Sequence, residues 1–129
     1  MVTRGLADTS VFIAVESGRP INRAVIPDQL AVSIITIAEL RMGILAAPDT
    51  ETRSQRLATL TRAIELEPVD VTTVVAEAWA KLRIDLRSSG KKMPVNDSWI
   101  AATAIALGVP IVTQDNDYVE ISGLDVIRA

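Results

Sequence analysis

The chain of 129 residues contains no cysteine and no histidine. The first absence excludes disulfides, thiolate zinc sites and cysteine nucleophiles. The second excludes imidazole general bases, Ser-His-Asp triads and His-ligated zinc or iron. Any metal must be held by oxygen, which suits Mg²⁺ or Mn²⁺. Aromatic residues make up only 3% of a chain that is 49% apolar, so the core has to be aliphatic. No apolar run approaches the roughly 18–20 residues of a membrane span. The N-terminus also lacks the basic, apolar, small-residue order of a signal peptide. A cytoplasmic protein without a membrane partner is expected, and the length suits one domain over residues 1–129.

Basic residues are missing from one stretch. Between Met93 and Ile127 there are five acids (Asp97, Asp115, Asp117, Glu120, Asp125) and no Lys or Arg. Between Arg41 and Lys92 nine basic residues face seven acids. A nucleic-acid enzyme can use such a division, with acids for metal and bases for phosphate. Solvated helix faces account for the middle segment equally well.

Strands and helices alternate along the chain. Gly5–Ala7 reads as a short buried strand, and a helix runs from Thr9-Ser10 to about Ser17-Gly18. Leu30–Ile35 reads as a second strand, Thr36 to about Ala47 as a helix, and Glu51–Ile64 as a third helix carrying Leu57, Leu60 and Ile64. Leu66–Val71, broken by Pro68, reads as an edge strand. A long helix from Thr72 or Thr73 to Ser88 should bury Val74, Ala78, Leu82 and Leu86, with Val75 and Trp79 beside them. Helix Asp97–Leu107, strand Pro110–Thr113, a Ser122-Gly123 turn and strand Leu124–Ile127 complete the chain. This alternation predicts an α/β fold with a parallel sheet and helices on both faces.

Four carboxylates, Asp8, Glu39, Asp97 and Asp115, stand where a strand ends or a helix begins. In a parallel sheet they collect at the carboxyl edge, where open α/β folds place their sites. Crowded carboxylates repel unless a cation or protons neutralise them, so a divalent-metal site is the economical reading. Each acid also has a structural explanation. Asp8 can be a helix N-cap. Thr36-Ile37-Ala38-Glu39 matches a Thr-x-x-Glu capping box. Asp97 can cap its helix, and Asp115 with Asp117 suits a polar turn. Ordinary capping gives no reason for all of them to meet at one sheet edge.

Those residues carry a resemblance. Leu6-Ala7-Asp8-Thr9-Ser10, Ile37-Ala38-Glu39-Leu40, the run Asn96-Asp97-Ser98-Trp99-Ile100-Ala101-Ala102-Thr103-Ala104, and Ile111-Val112-Thr113-Gln114-Asp115 with Asp117-Tyr118 follow in order. Over essentially its whole length the chain resembles the PIN-domain nucleases, in particular the small VapC-type toxins of toxin–antitoxin pairs. The resemblance implies a flavodoxin-like sheet of order 3-2-1-4-5. It also implies a Mg²⁺- or Mn²⁺-dependent endoribonuclease that inhibits translation and growth. Asp8, Glu39, Asp97 and Asp115 would be its metal-binding and catalytic quartet, Asp117 an accessory acid, and the Thr9 and Thr113 hydroxyls supports for metal or carboxylates. The final motif departs from many relatives, which carry Asn at position 115 and Phe at 118, so the number of metal ions stays open.

With no His or Cys, the nucleophile is most simply a water activated by metal, with Asp8 or Asp97 taking its proton. A homodimer is expected. Arg41, Arg83, Arg87, Lys91 and Lys92 are candidate RNA contacts in a basic groove. A VapB-type antitoxin is expected to cover Ile37, Leu40 and Ile44 and to direct an Arg into the acids. Rival enzymes fit less well. An aspartyl-phosphate phosphohydrolase needs a second Asp where Ser10 stands, and a receiver domain needs a Lys that residues 93–127 lack. A non-catalytic RNA-binding or scaffold domain of the same fold remains the alternative.

Overall fold

The computed structural model describes residues 1–121 and 123–129; half of the expected Ser122-Gly123 turn therefore lies outside the described residues. The elements are β1 (Arg4–Ala7), α1 (Thr9–Ser17), a 3₁₀ turn (Arg23–Val25), β2 (Gln29–Val32), α2 (Ile34–Leu45), α3 (Thr50–Ile64), α4 (Thr73–Ser88), α5 (Val95–Leu107), β3 (Ile111–Thr113) and β4 (Val126–Arg128). All strand pairs are parallel, in the order β2-β1-β3-β4. The expected strand around Pro68 shrinks to a single parallel bridge between Val69 and Ser33, at the outer edge of β2. Spatially this keeps the 3-2-1-4-5 order, but Pro68 lacks the N–H that a longer ladder requires.

Strand alternation sorts the core into two layers. Leu6 and its register partner Ile111 pack with Val75, Leu82, Leu86 and Ile100, beneath α4 and α5. Ala7 and its partner Val112 point the other way and pack with Val11 of α1. Helices thus cover both faces, as the near-continuous apolar strands require. The same alternation aims Asp8 and Thr113, each one residue beyond the Ala7–Val112 pair, toward the α5 side. Gly5 is needed for close approach: a Cβ there would sit 2.9 Å from Pro27 Cγ and 3.1 Å from Val112 Cγ2.

Several helix details differ from the sequence expectation. On α4 the buried stripe is Val75, Leu82 and Leu86, while Val74 is exposed. On α3 Leu60 and Ala63 are buried, with Leu57 and Ile64 each 48% exposed. In both cases the side chain lies on the flank of the apolar stripe, where neighbouring helices do not reach. Helix α2 begins at Ile34, and its N-cap is Ser33, whose hydroxyl accepts the Ile35 N–H. Thr36 is therefore inside the helix and wholly buried, and the expected capping box with Glu39 does not form. Among the described residues no helix is long and apolar enough to cross a membrane.

Candidate active site at the carboxyl edge of the sheet

Asp8 follows the last residue of β1 and is only 1% exposed. It does cap α1, though with a long 3.4 Å contact from the Ser10 N–H to Oδ2. Its stronger contacts come from hydroxyls. Ser10 Oγ donates to Oδ2 at 2.7 Å, Thr113 Oγ1 to Oδ2 at 2.9 Å, and Tyr118 Oη to Oδ1 at 2.7 Å. Backbone N–H groups orient two of those hydroxyls from behind: Gln114 N–H donates to Ser10 Oγ and Asp115 N–H to Thr113 Oγ1. A carboxylate offers about four lone-pair positions, so this clamp fixes Asp8 and still leaves acceptor capacity.

Glu39 reaches the same edge from the second turn of α2. Thr9 Oγ1 donates to its Oε1 at 2.7 Å, and buried Thr36 contacts the same Thr9 hydroxyl at 2.9 Å. With the Thr9 proton committed to Glu39, Thr36 is the donor in that second contact. The acid that a capping box would explain is thus held from α1 by a hydroxyl.

Asp97 lies in the first turn of α5, which has Pro94 at its N-cap position and no side-chain cap. It is half-buried, and its pKa is pushed up to about 7, first by desolvation and then by the negative charges of Asp8, Asp117, Glu39 and Asp115. Asp115 is raised as well, by desolvation and by Asp8 and Asp117, with Arg19 acting against them. The Tyr118 phenol is driven far above its ordinary range by burial and by Asp8, so it remains a donor. Asp8, Glu39 and Asp117 are among the causes of the rise at both Asp97 and Asp115, so the five acids share one electrostatic environment.

The oxygen-only donor set suits a hard divalent ion. Yet among the described residues no three acids are already gathered into an ion-holding cage. The two observations are compatible. Asp8, Asp117, Glu39 and Asp115 all act electrostatically on Asp97, so the acids face one site without forming a closed cage.

Three contributors were not singled out from the sequence. Ser10 and Tyr118 clamp Asp8, and Thr36 supports Thr9. Tyr118 offered one signal, as the chain's single tyrosine in an otherwise polar turn. Of the candidate RNA contacts, Arg83, Arg87, Lys91 and Lys92 line one cleft, whereas Arg41 lies exposed on α2 and does not join them. The expected antitoxin contacts, Ile37, Leu40 and Ile44, lie mostly on the inner side of α2. Leu40 and Ile44 are 7% and 6% exposed and pack against Leu60 and Ala63 of α3, with Ile37 partly buried beside them. Their apolar stripe faces α3, and the exposed apolar side chains nearby are Ile13, Ile34, Met42 and Leu45.

Residues 6–124 match the family model described as PIN domain. Ribonuclease VapC5 of Mycobacterium tuberculosis is 47% identical over 127 residues, covering 96% of this chain and 94% of the relative. Ribonuclease VapC4 of the same organism is 46% identical over 131 residues, covering 98% and 97%. A crystal structure of the M. tuberculosis toxin–antitoxin system VapBC-5 contains a chain that superposes with a TM-score of 0.91 at 42% identity. That match covers 98% of this chain and 99% of the other. A fold, an ordered set of motifs and a near-full-length likeness agree, and the chain belongs to the PIN-domain family, within its VapC group.

Proposed function

We propose that the protein is a Mg²⁺- or Mn²⁺-dependent endoribonuclease and the toxin of a toxin–antitoxin pair, inhibiting translation and growth by cleaving RNA. The observation that carries this reading is the pairing of a buried, hydroxyl-clamped Asp8 with an Asp97 raised to about 7 by the surrounding acids. The names of VapC5 and VapC4 as ribonucleases support it.

In this reading Asp8, Glu39, Asp97 and Asp115 hold the ion, with Asp117 as accessory acid. A bound divalent ion supplies Lewis acidity, offsetting charge that develops on the phosphate and making water at the site more acidic. The chain's own residues do the rest. Ser10, Thr113 and Tyr118 fix Asp8 in one orientation, and Thr9 does the same for Glu39. Asp97 is half-exposed, and its carboxylate has no hydrogen-bond partner among the described residues, so its oxygens are open to a proton from an attacking water. Asp8, buried and committed to three hydroxyls, is the poorer base. In-line attack by water leaves a 5′-phosphate and a 3′-hydroxyl, whereas attack by the RNA's own 2′-hydroxyl leaves a cyclic phosphate. The test is cleavage of RNA by the purified protein with Mg²⁺ or Mn²⁺, with EDTA, and by Asp8→Asn and Asp97→Asn, followed by end-group analysis. Wild-type rates in either variant, or full cleavage after exhaustive chelation, would overturn the assignment.

The proposal includes a VapB-type antitoxin and a homodimer. A cleft of about 210 Å³ lined by Ile13, Glu16, Glu39, Leu40, Gly43 and Arg56 opens beside exposed apolar residues of α1 and α2. A segment seated there reaches Glu39 directly, and an Arg on it can offer five N–H donors to the acids. Replacing each Arg of the antitoxin's C-terminal half by Ala checks this. Full inhibition by every variant would rule out the Arg as the inhibiting group. The mass of the toxin in light scattering checks the dimer.

A further inference from the structure

We infer that the cleft between the end of α4 and the loop entering α5 grips the phosphates of the RNA strand flanking the scission site. This rests on the ribonuclease reading above. The cleft, about 460 Å³, is lined by Arg83, Leu86, Arg87, Lys91, Lys92 and Met93 together with Gly90, and no acid is among its lining residues. On a protein of net charge −3 this local excess of cations stands out.

The cleft is mechanically tied to the acidic site. Arg83 Nη1 donates to Met93 O at 3.3 Å, and its guanidinium lies 5.8 Å from the Trp79 ring centroid. Trp79 stacks on Trp99 with centroids 4.3 Å apart and planes 4° apart, and its Nε1 donates to Ser98 Oγ at 3.0 Å. Ser98 adjoins Asp97. The wall of the cleft and the turn carrying Asp97 are therefore joined by an unbroken run of side-chain contacts. Met93 and Asp97 are four residues apart, so their Cα atoms lie within about 14 Å, a distance that a strand spans in a few nucleotides.

The cations are not equivalent. Lys91 Nζ is drawn away to Glu120 O at 2.6 Å, and Arg83 is partly committed to Met93. Arg87 and Lys92 are exposed, and among the described residues neither has a hydrogen-bond or ion-pair partner. They are the main phosphate contacts. No aromatic ring lines the cleft, so it holds the strand by charge without reading bases. A strand whose scissile phosphate enters a pocket of five acids needs such compensation on its flank. An acidic peptide has no comparable reason to end beside Asp97.

The test measures binding of a fluorescein-labelled unstructured single-stranded RNA in EDTA, across a salt series. The proteins are wild type, Arg87→Gln/Lys92→Gln, and Arg4→Gln as a control at the opposite end of β1. Two lost contacts at about 0.7 each should make the log–log salt slope shallower by about 1.4, which at physiological salt is roughly a tenfold loss of affinity. Arg4→Gln should match the wild type. If the double variant keeps the wild-type slope and affinity while the wild type still cleaves RNA with Mg²⁺, the cleft assignment falls and the ribonuclease reading stands. A wild type that neither binds nor cleaves RNA overturns both. A slope lowered equally by Arg4→Gln, or RNA binding unchanged while the double variant escapes its antitoxin, also overturns the cleft assignment.

Discussion

Replacing Asp97 by Asn should stabilise the metal-free protein, and most at neutral to alkaline pH. The folded-state pKa of about 7 exceeds the unfolded value of 3.8, so the folded state binds this proton more tightly. The resulting stability is fully present below the unfolded value and is lost as pH rises through about 7. At about 1.36 kcal/mol per unit the full rise sets a ceiling near 4 kcal/mol. Asp97 is half-exposed, and solvent screening cuts that to about 1–1.5 kcal/mol. Asn also forfeits the carboxylate's favourable interaction with the N-terminus of α5, about 0.5 kcal/mol. The net expectation near pH 8 in EDTA is a gain of about 0.5–1 kcal/mol, or a Tm rise of roughly 2–4 °C for a chain of this size. The difference should shrink as pH falls below about 7 and vanish only below 3.8, where Asp97 is protonated in the unfolded state as well. Calorimetry of both proteins at several pH values decides it. A variant less stable than wild type at pH 8, or a difference independent of pH, would refute the argument that the acids are mutually repelling.

Three further outcomes follow from other parts of the structure. Tyr118→Phe keeps the ring in the core but strips Asp8 Oδ1 of its buried donor, so urea unfolding should show a loss of about 1.5–3 kcal/mol with unchanged m-value; an unmoved midpoint would contradict the clamp. Gly5→Ala places a Cβ 2.9 Å from Pro27 Cγ and 3.1 Å from Val112 Cγ2, so overpacking at the sheet should cost about 1–3 kcal/mol in the same assay. Glu67 is exposed at φ 55°, and Glu67→Gly should raise stability by about 0.5 kcal/mol by relieving left-handed strain; a lowered midpoint would show that the side chain does something unseen here.

The amino-acid order by itself determined a good deal. Apolar strand segments alternating with helical ones specify the parallel α/β class, because strands buried on both faces read as continuous apolar runs. The absence of His and Cys restricts any metal to oxygen ligands. The positions of Asp8 and Asp115 at strand ends, and of Glu39 and Asp97 in the opening turns of helices, follow from the same periodicity. What the sequence left open was which contact each side chain makes, since an N-cap, a capping box and a site ligand all call for the same acid in the same local pattern. Only the packed sheet decided it. Parallel pairing of β1 with β3 brings Thr113 to Asp8 across 105 positions of chain, and Tyr118 across 110. Helix α2 starts three residues earlier than its Thr-x-x-Glu pattern suggests because Ser33, just past the end of β2, takes the cap, and this turns Glu39 toward Thr9. The burial of Leu40 and Ile44 and the exposure of Val74 were likewise settled by which helix packs on which. Helical periodicity defines an apolar stripe, but long-range packing chooses how much of that stripe another element covers.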